Sequence, residues 1–179
     1  MHGSADGFAQ RHRPAPVRLF KLRSAMNFSK SGWGWSMDAY LDANVYLAYF
    51  LGEAEQEQVR RLLDLSSGCR FSLTASTHVF GEVQHVSKNR SSLLIQQFLD
   101  SFQSRKKLKL VPATPQDVEW AGVQDEKTGF VIGFNDWMHV RLASKYSDVL
   151  VSNDRALKNL SKPWVRCETI ETFLESLKS

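Results

Sequence analysis

The chain has 179 residues, of which 42% are hydrophobic and 23% charged, and its formal net charge is +4. That length suits one domain with a real core, and the composition is that of an ordinary globular protein. No apolar run approaches the roughly 20 residues a bilayer-spanning helix needs, so neither a transmembrane segment nor a membrane partner is expected.

The positive charge is concentrated at the amino end. Residues 1–36 carry six basic side chains (Arg11, Arg13, Arg18, Lys21, Arg23, Lys30) against one acid, Asp6. The remaining residues carry 17 basic and 18 acidic side chains, so the basicity belongs to the tail and does not reveal what the domain binds. The tail is rich in Gly, Ser, Pro and Arg and has no periodicity. It reads as a disordered basic arm, as a targeting peptide, or as sequence upstream of a true start at Met37, the reading favoured here. Residues 37–179 then form the domain. Cys69 and Cys167 lie far apart in no metal spacing and read as buried thiols of a cytoplasmic protein.

From Met37 onward short strands alternate with helices. The run "MDAYL" predicts a strand ending near Leu41, followed by a helix through "ANVYLAYF". "EAEQEQVRRLLDLSS" has Val59, Leu62 and Leu63 at helical spacing and stops before Gly68. "CRFSLTA" predicts a strand, and "STHVFGEVQHVS" a helix capped by Ser76 or Thr77. "SSLLIQQFLDSFQSRK" is helical, "LKLVPA" extended, and "TPQDVEWAGVQDE" a helix with a Thr cap and a Pro in its first turn. "NDWMHVRLASKYS", "DVLVS", "NDRALKNL", "WVRCETI" and "ETFLESLK" continue as helix, strand, helical turn, strand and helix. This alternation predicts an α/β fold, a three-layer sandwich around a parallel sheet of about four or five strands.

Four acids fall where such a fold collects ligands. Asp42 follows the first strand directly and Asp154 follows "DVLVS" after one residue, which places both at the carboxyl edge of a parallel sheet. Glu82 stands beside Val79, Val83 and Val86, the expected inward stripe of its helix, where an unpaired carboxylate is costly. Asp136 has the same relation to Val140 and Ala143. Helix capping would account for Asp42, Asp136 or Asp154 singly, and a basic neighbour for Glu82. Together, four clustered carboxylates need compensation, and a divalent cation is the simplest. All-oxygen ligation suits Mg2+ or Mn2+. Zn2+ is disfavoured on the expectation that no His or Cys joins the acids, with His78, His85 and His139 read as surface or packing residues.

The ordered set "LDAN" (Asp42, Asn44), "FGEV" (Glu82), "NDWMHVRLA" (Asp136) and "LVSND" (Ser152, Asp154) resembles the PIN-domain nucleases across residues 37–179. Trp137, Met138 and Arg141 depart from the usual smaller face of the third motif. The resemblance implies a Mg2+- or Mn2+-dependent ribonuclease of the VapC-like toxin type, with a cognate antitoxin and a homodimer as expected partners. It also implies Asp42, Asp136 and Asp154 as metal ligands, with Glu82 a ligand or a holder of bound water. Asn44 would orient Asp42, and Ser152 would offer a hydroxyl to ligand or phosphate.

For the RNA backbone, Arg155 and Lys158 after the fourth acid and the cluster Arg105, Lys106, Lys107 and Lys109 are candidates, although a charge run at a helix end is usually solvated. Trp120 and Trp137 could stack bases but suit core packing better. Competing functions are an inactive PIN-type binding module, a solitary RNA-processing nuclease and a haloacid-dehalogenase-type phosphatase. The last normally wants a second Asp where this chain has Asn44.

Overall fold

Residues 37–68, 70–88, 92–104 and 108–178 are described by the computed structural model. The extension 1–36, Cys69 and the basic cluster Arg105, Lys106 and Lys107 lie outside the described residues.

Five short runs form the strands: β1 Met37–Leu41, β2 Phe71–Ser76, β3 Leu108–Val111, β4 Val149–Val151 and β5 Arg166–Glu168. Every pairing is parallel, in the order β3-β2-β1-β4-β5. Ala39, Tyr40 and Leu41 in β1 and all of β4 are fully buried. A strand covered on both faces must be continuously apolar rather than alternating, and "AYL" and "VLV" are.

Eight helices occur among the described residues: α1 Ala43–Leu51, α2 Gln56–Ser67, α3 Thr77–Val86, α4 Ser92–Ser104, α5 Pro115–Lys127, α6 Phe134–Tyr146, α7 Arg155–Ser161 and α8 Ile170–Ser176. Right-handed crossovers put α1–α4, which link β1 to β2 to β3, on one face of the sheet. The same rule puts α5–α7, which link β3 to β4 to β5, on the other. Accordingly α1 packs on α2 and α3, while α6 lies against β1, β2 and β4; α8 returns to α2 and β5. The sandwich therefore has the expected three layers. No helix among the described residues is long and apolar enough to cross a membrane.

Aromatic side chains fill both interlayer spaces. Tyr46 packs against Phe80 and Phe98 with ring centroids 5.1 and 5.6 Å apart. On the other face, fully buried Trp137 meets Trp120 and Trp164 edge-on at 5.9 and 5.2 Å. Burying a side chain of this kind is worth about 1.5–3 kcal/mol. Trp137 is thus a core residue, and Arg141 lies over the Trp120 ring at 5.3 Å. Two of the residues that depart from the usual third motif are explained by packing between α5 and α6. Cys167 is a buried free thiol, as expected.

The inward stripe of α3 is shorter than expected. Val79 and Val83 are buried, but Val86 is 52% exposed because it is the last helical residue and no described element covers it.

Candidate metal centre

The strand order reverses direction between β1 and β4: the chain leaves β1 toward β2 and leaves β4 toward β5. Crevices open at such switch points, outside the carboxyl ends of the strands. Leu41 and Val151 are register partners, so the residues after them meet. The Asp42 amide donates to the Val151 carbonyl at 3.0 Å. The Ser152 hydroxyl then donates to Asp42 Oδ2 at 2.7 Å. Asp42 occupies the N-cap position of α1, yet its carboxylate makes no capping bond and is 1% exposed. Capping does not explain this acid.

Asp154 does cap. Its Oδ1 accepts from the Leu157 amide of α7 at 2.9 Å. Its own amide donates to Ser152 Oγ at 3.1 Å, so one buried hydroxyl ties together the first and fourth acids. Asn44 is exposed, and its side chain makes no hydrogen bond to Asp42 among the described residues. The orienting contact expected of Asn44 is made by Ser152.

Asp136 is not a cap either. Helix α6 starts at Phe134 behind Gly133, which sits at φ 80°, ψ 162° and offers no side-chain cap. That backbone region is essentially open to glycine alone. Asp136 therefore lies in the first turn, where the helix dipole favours an anion. Burial nevertheless pushes its carboxyl pKa up to about 7, and the charges of Asp42, Asp154 and Glu82 add to the rise, with His139 opposing it. Such repulsion arises when carboxylates share one place. Asp42, Asp154 and Glu82 lie near enough to Asp136 for their charges to act on it, and oxygen donors of this kind suit a hard divalent cation.

Two histidines join the acids, overturning the expectation that none would. His139 is fully buried, and its Nε2 lies 2.9 Å from Glu82 Oε2 and 3.5 Å from Asp42 Oδ1. Its Nδ1 faces the Tyr40 hydroxyl at 3.3 Å, which in turn contacts Ser76 Oγ at 2.7 Å. Ser76 caps α3 by accepting from the Val79 amide, so the network runs from that helix start to the imidazole. Burial disfavours the His139 cation, but the Glu82 hydrogen bond and the charges of Asp42, Glu82 and Asp136 outweigh it and raise its pKa. For Glu82, burial is outweighed by the His139 bond and by the charges of both histidines, and its pKa falls. His78 moves down, through burial and the His139 charge. The missed signal was spacing: His139 stands three residues after Asp136 on α6, and His78 four before Glu82 on α3, so each pair shares a helix face.

Arg155 is exposed and Lys158 half-buried on α7, next to Asp154. Neither forms an ion pair among the described residues. Lys109 lies over the Tyr146 ring at 5.5 Å.

The sequence model of the PIN domain matches residues 39–163. No curated protein matches the sequence. Among solved structures, the chain is similar to VapBC2 from Rickettsia felis, solved bound to a DNA fragment from their promoter. That likeness has 23% identity and a TM-score of 0.56, over 74% of this chain and 98% of the other. It is also similar to DNA-bound VapBC from Salmonella typhimurium, with 18% identity, a TM-score of 0.55, and coverage of 75% and 98%. FitAB bound to IR36 DNA gives 17%, 0.53, and coverage of 74% and 94%.

Proposed function

The chain belongs to the PIN-domain family, and from that premise we propose that it is a Mg2+- or Mn2+-dependent endoribonuclease, the toxin of a toxin–antitoxin pair acting in the cytoplasm. The reading is supported by the β1–β4 edge, where Ser152 ties buried Asp42 to Asp154, and by His139, which stands 2.9 Å from Glu82 and 3.5 Å from Asp42.

Asp42, Asp136 and Asp154 would hold the ion, with Glu82 holding it or orienting water beside it. When bound, the cation would supply Lewis-acid chemistry, activating water and offsetting charge that develops on the phosphate oxygens. Ser152 keeps the Asp42 carboxylate in place through its 2.7 Å bond. Arg155 and Lys158, one and four residues beyond Asp154, are placed to meet phosphates. The VapBC and FitAB likenesses support an antitoxin as partner. Leu93, Phe130 and Val131, each more than 60% exposed, offer apolar surface for it or for a second copy.

The test is cleavage of RNA by the full chain with Mg2+ or Mn2+, with chelator, and beside a folded Asp42→Asn variant. Cleavage that requires both metal and Asp42 is expected, as is growth arrest on expression that Asp42→Asn relieves. Absence of both cleavage and divalent-ion binding would overturn the reading in favour of an inactive binding module.

A further inference from the structure

We propose that His78, Glu82 and His139 form a second cation site beside the carboxylate cluster, with donor chemistry that selects a borderline transition ion of the Zn2+ class. One ligating atom from each residue lies within 4.8 Å of the other two. The donors come from two helices: His78 and Glu82 lie one turn apart on α3, and His139 approaches from α6.

The ion pair between His139 and Glu82 is sufficient reason for those two residues to meet. It leaves His78 unexplained. The His78 ring stands edge-on to His139, with centroids 5.3 Å apart, and its Nε2 is buried with no hydrogen-bond partner. A buried ring nitrogen without a partner is costly, and a metal ion would satisfy it. The His139 ring is already oriented for ligation. Tyr40 engages Nδ1 at 3.3 Å, which leaves Nε2 turned toward Glu82. A hydrogen bond to the distal nitrogen of a ligating histidine commonly fixes its tautomer and ring plane.

Two imidazoles and one carboxylate make a donor set that Zn2+ accepts with a fourth position open. Bond lengths of about 2.0–2.2 Å put the donors of a tetrahedral site roughly 3.3 Å apart, so closure on the order of 1 Å would complete it. Mg2+ prefers oxygen donors and gives up water reluctantly, so it has no reason to prefer this end of the crevice. Glu82 belongs to both groups. Occupancy here therefore draws one carboxylate away from the acids, and on the nuclease reading, on which this consequence alone rests, Zn2+ opposes Mg2+-supported cleavage.

The experiment is titration of the metal-free full chain with Co2+ alone, followed by visible absorption. Intense bands of a low-coordinate, nitrogen-ligated ion are expected at about one equivalent, keeping their shape in excess Mg2+ even where shared Glu82 lowers the apparent affinity, and abolished by Zn2+. His78→Gln, at a half-buried position, should weaken Co2+ at least about 10-fold, whereas Asp154→Asn should leave the spectrum intact. His139→Gln, verified as folded, provides a second loss of ligand. A weak spectrum of a fully hydrated type, or one unchanged in both histidine variants, would overturn the proposal. So would a spectrum lost equally with Asp154→Asn, which would place the ion among the acids. Because the readout is a spectrum, an inactive protein that binds Co2+ through the histidines would refute the nuclease reading alone.

Discussion

The Ser152 hydroxyl donates to Asp42 Oδ2 at 2.7 Å across the β1–β4 junction and accepts from the Asp154 amide at 3.1 Å. Both Ser152 and Asp42 are essentially without solvent exposure, so water cannot replace the bond if it is lost. Ser152→Ala is expected to cost about 1–3 kcal/mol of stability by stranding a buried carboxylate oxygen. It should also weaken Mg2+ or Mn2+ binding by roughly 10-fold, as loss of contacts behind metal ligands does. Ser152→Thr keeps the hydroxyl and should restore most of the affinity. Calorimetric titration of the two variants decides the matter; equal losses in both would show that the hydroxyl does not position Asp42.

The start of α6 depends on Gly133. Among the described residues no heavy atom beyond its chain neighbours lies within 4 Å of where a Cβ would stand, so a side chain there meets no clash. The penalty is in the backbone, at φ 80° and ψ 162°. Gly133→Ala is expected to cost about 1–3 kcal/mol, read as a lower urea midpoint with unchanged slope. Because Asp136 lies three residues on, divalent-ion affinity should fall in the same variant. A midpoint shift below about 0.5 kcal/mol equivalent would mean that the turn relaxes into an ordinary conformation.

Asp117 bolts α5 to α6. It completes a capping box with Thr114 and accepts from Arg141 Nε at 3.0 Å and Lys145 Nζ at 2.9 Å, with no exposed surface of its own. Burial would raise its pKa, but the bonds from Lys145, Thr114 and Arg141 overcome this and hold the carboxyl well below its usual range. A depressed folded pKa stabilises the protein fully above the unfolded value, near pH 4, and the contribution fades as pH falls further. Asp117→Asn should therefore cost about 3 kcal/mol at neutral pH and flatten the decline in melting temperature below pH 4. Thermal melts of both proteins between pH 7 and pH 2 test this; parallel curves would refute it.

Asp42 and Asp154 were legible in the sequence because strand ends are legible, and parallel strands bring their ends to one edge. Asp136 was legible as an acid near a helix start, but its place in the first turn depends on a glycine conformation that the sequence does not display. Glu82 was marked by its position beside the apolar stripe, although Val86, offered as part of that stripe, is exposed. The spacing of His139 from Asp136 was there to be read, but its pairing with Glu82 was not, because Glu82 is 57 residues away on another helix and meets it only once the layers close. The same holds for Arg141. Its departure from the usual motif reflects Asp117, 24 residues earlier, and Trp120. Local pattern identified residues that lie at element boundaries, and tertiary pairing decided the rest.

Asp136 ties stability to pH and, on the proposed function, would tie it to metal. Burial and the charges of Asp42, Asp154 and Glu82 bring its folded pKa up to about 7, above its unfolded value. For an acid raised in this way, the unfolded chain ionises first as pH climbs from about 4, so the metal-free fold loses stability until pH passes the folded value. With partial solvent screening, the loss is on the order of 1–2 kcal/mol. Asp136→Asn removes the repulsion and should raise the metal-free melting temperature at pH 7.5 while leaving it nearly unchanged at pH 4.5. Mg2+ or Mn2+ should stabilise the unsubstituted protein more at pH 7.5 than at pH 5.5, because the ion binds the ionised carboxylate. The variant should show little of that increment. A metal-free variant no more stable than the parent at pH 7.5 would mean that the four acids do not repel one another, and the cation site would lose its electrostatic basis.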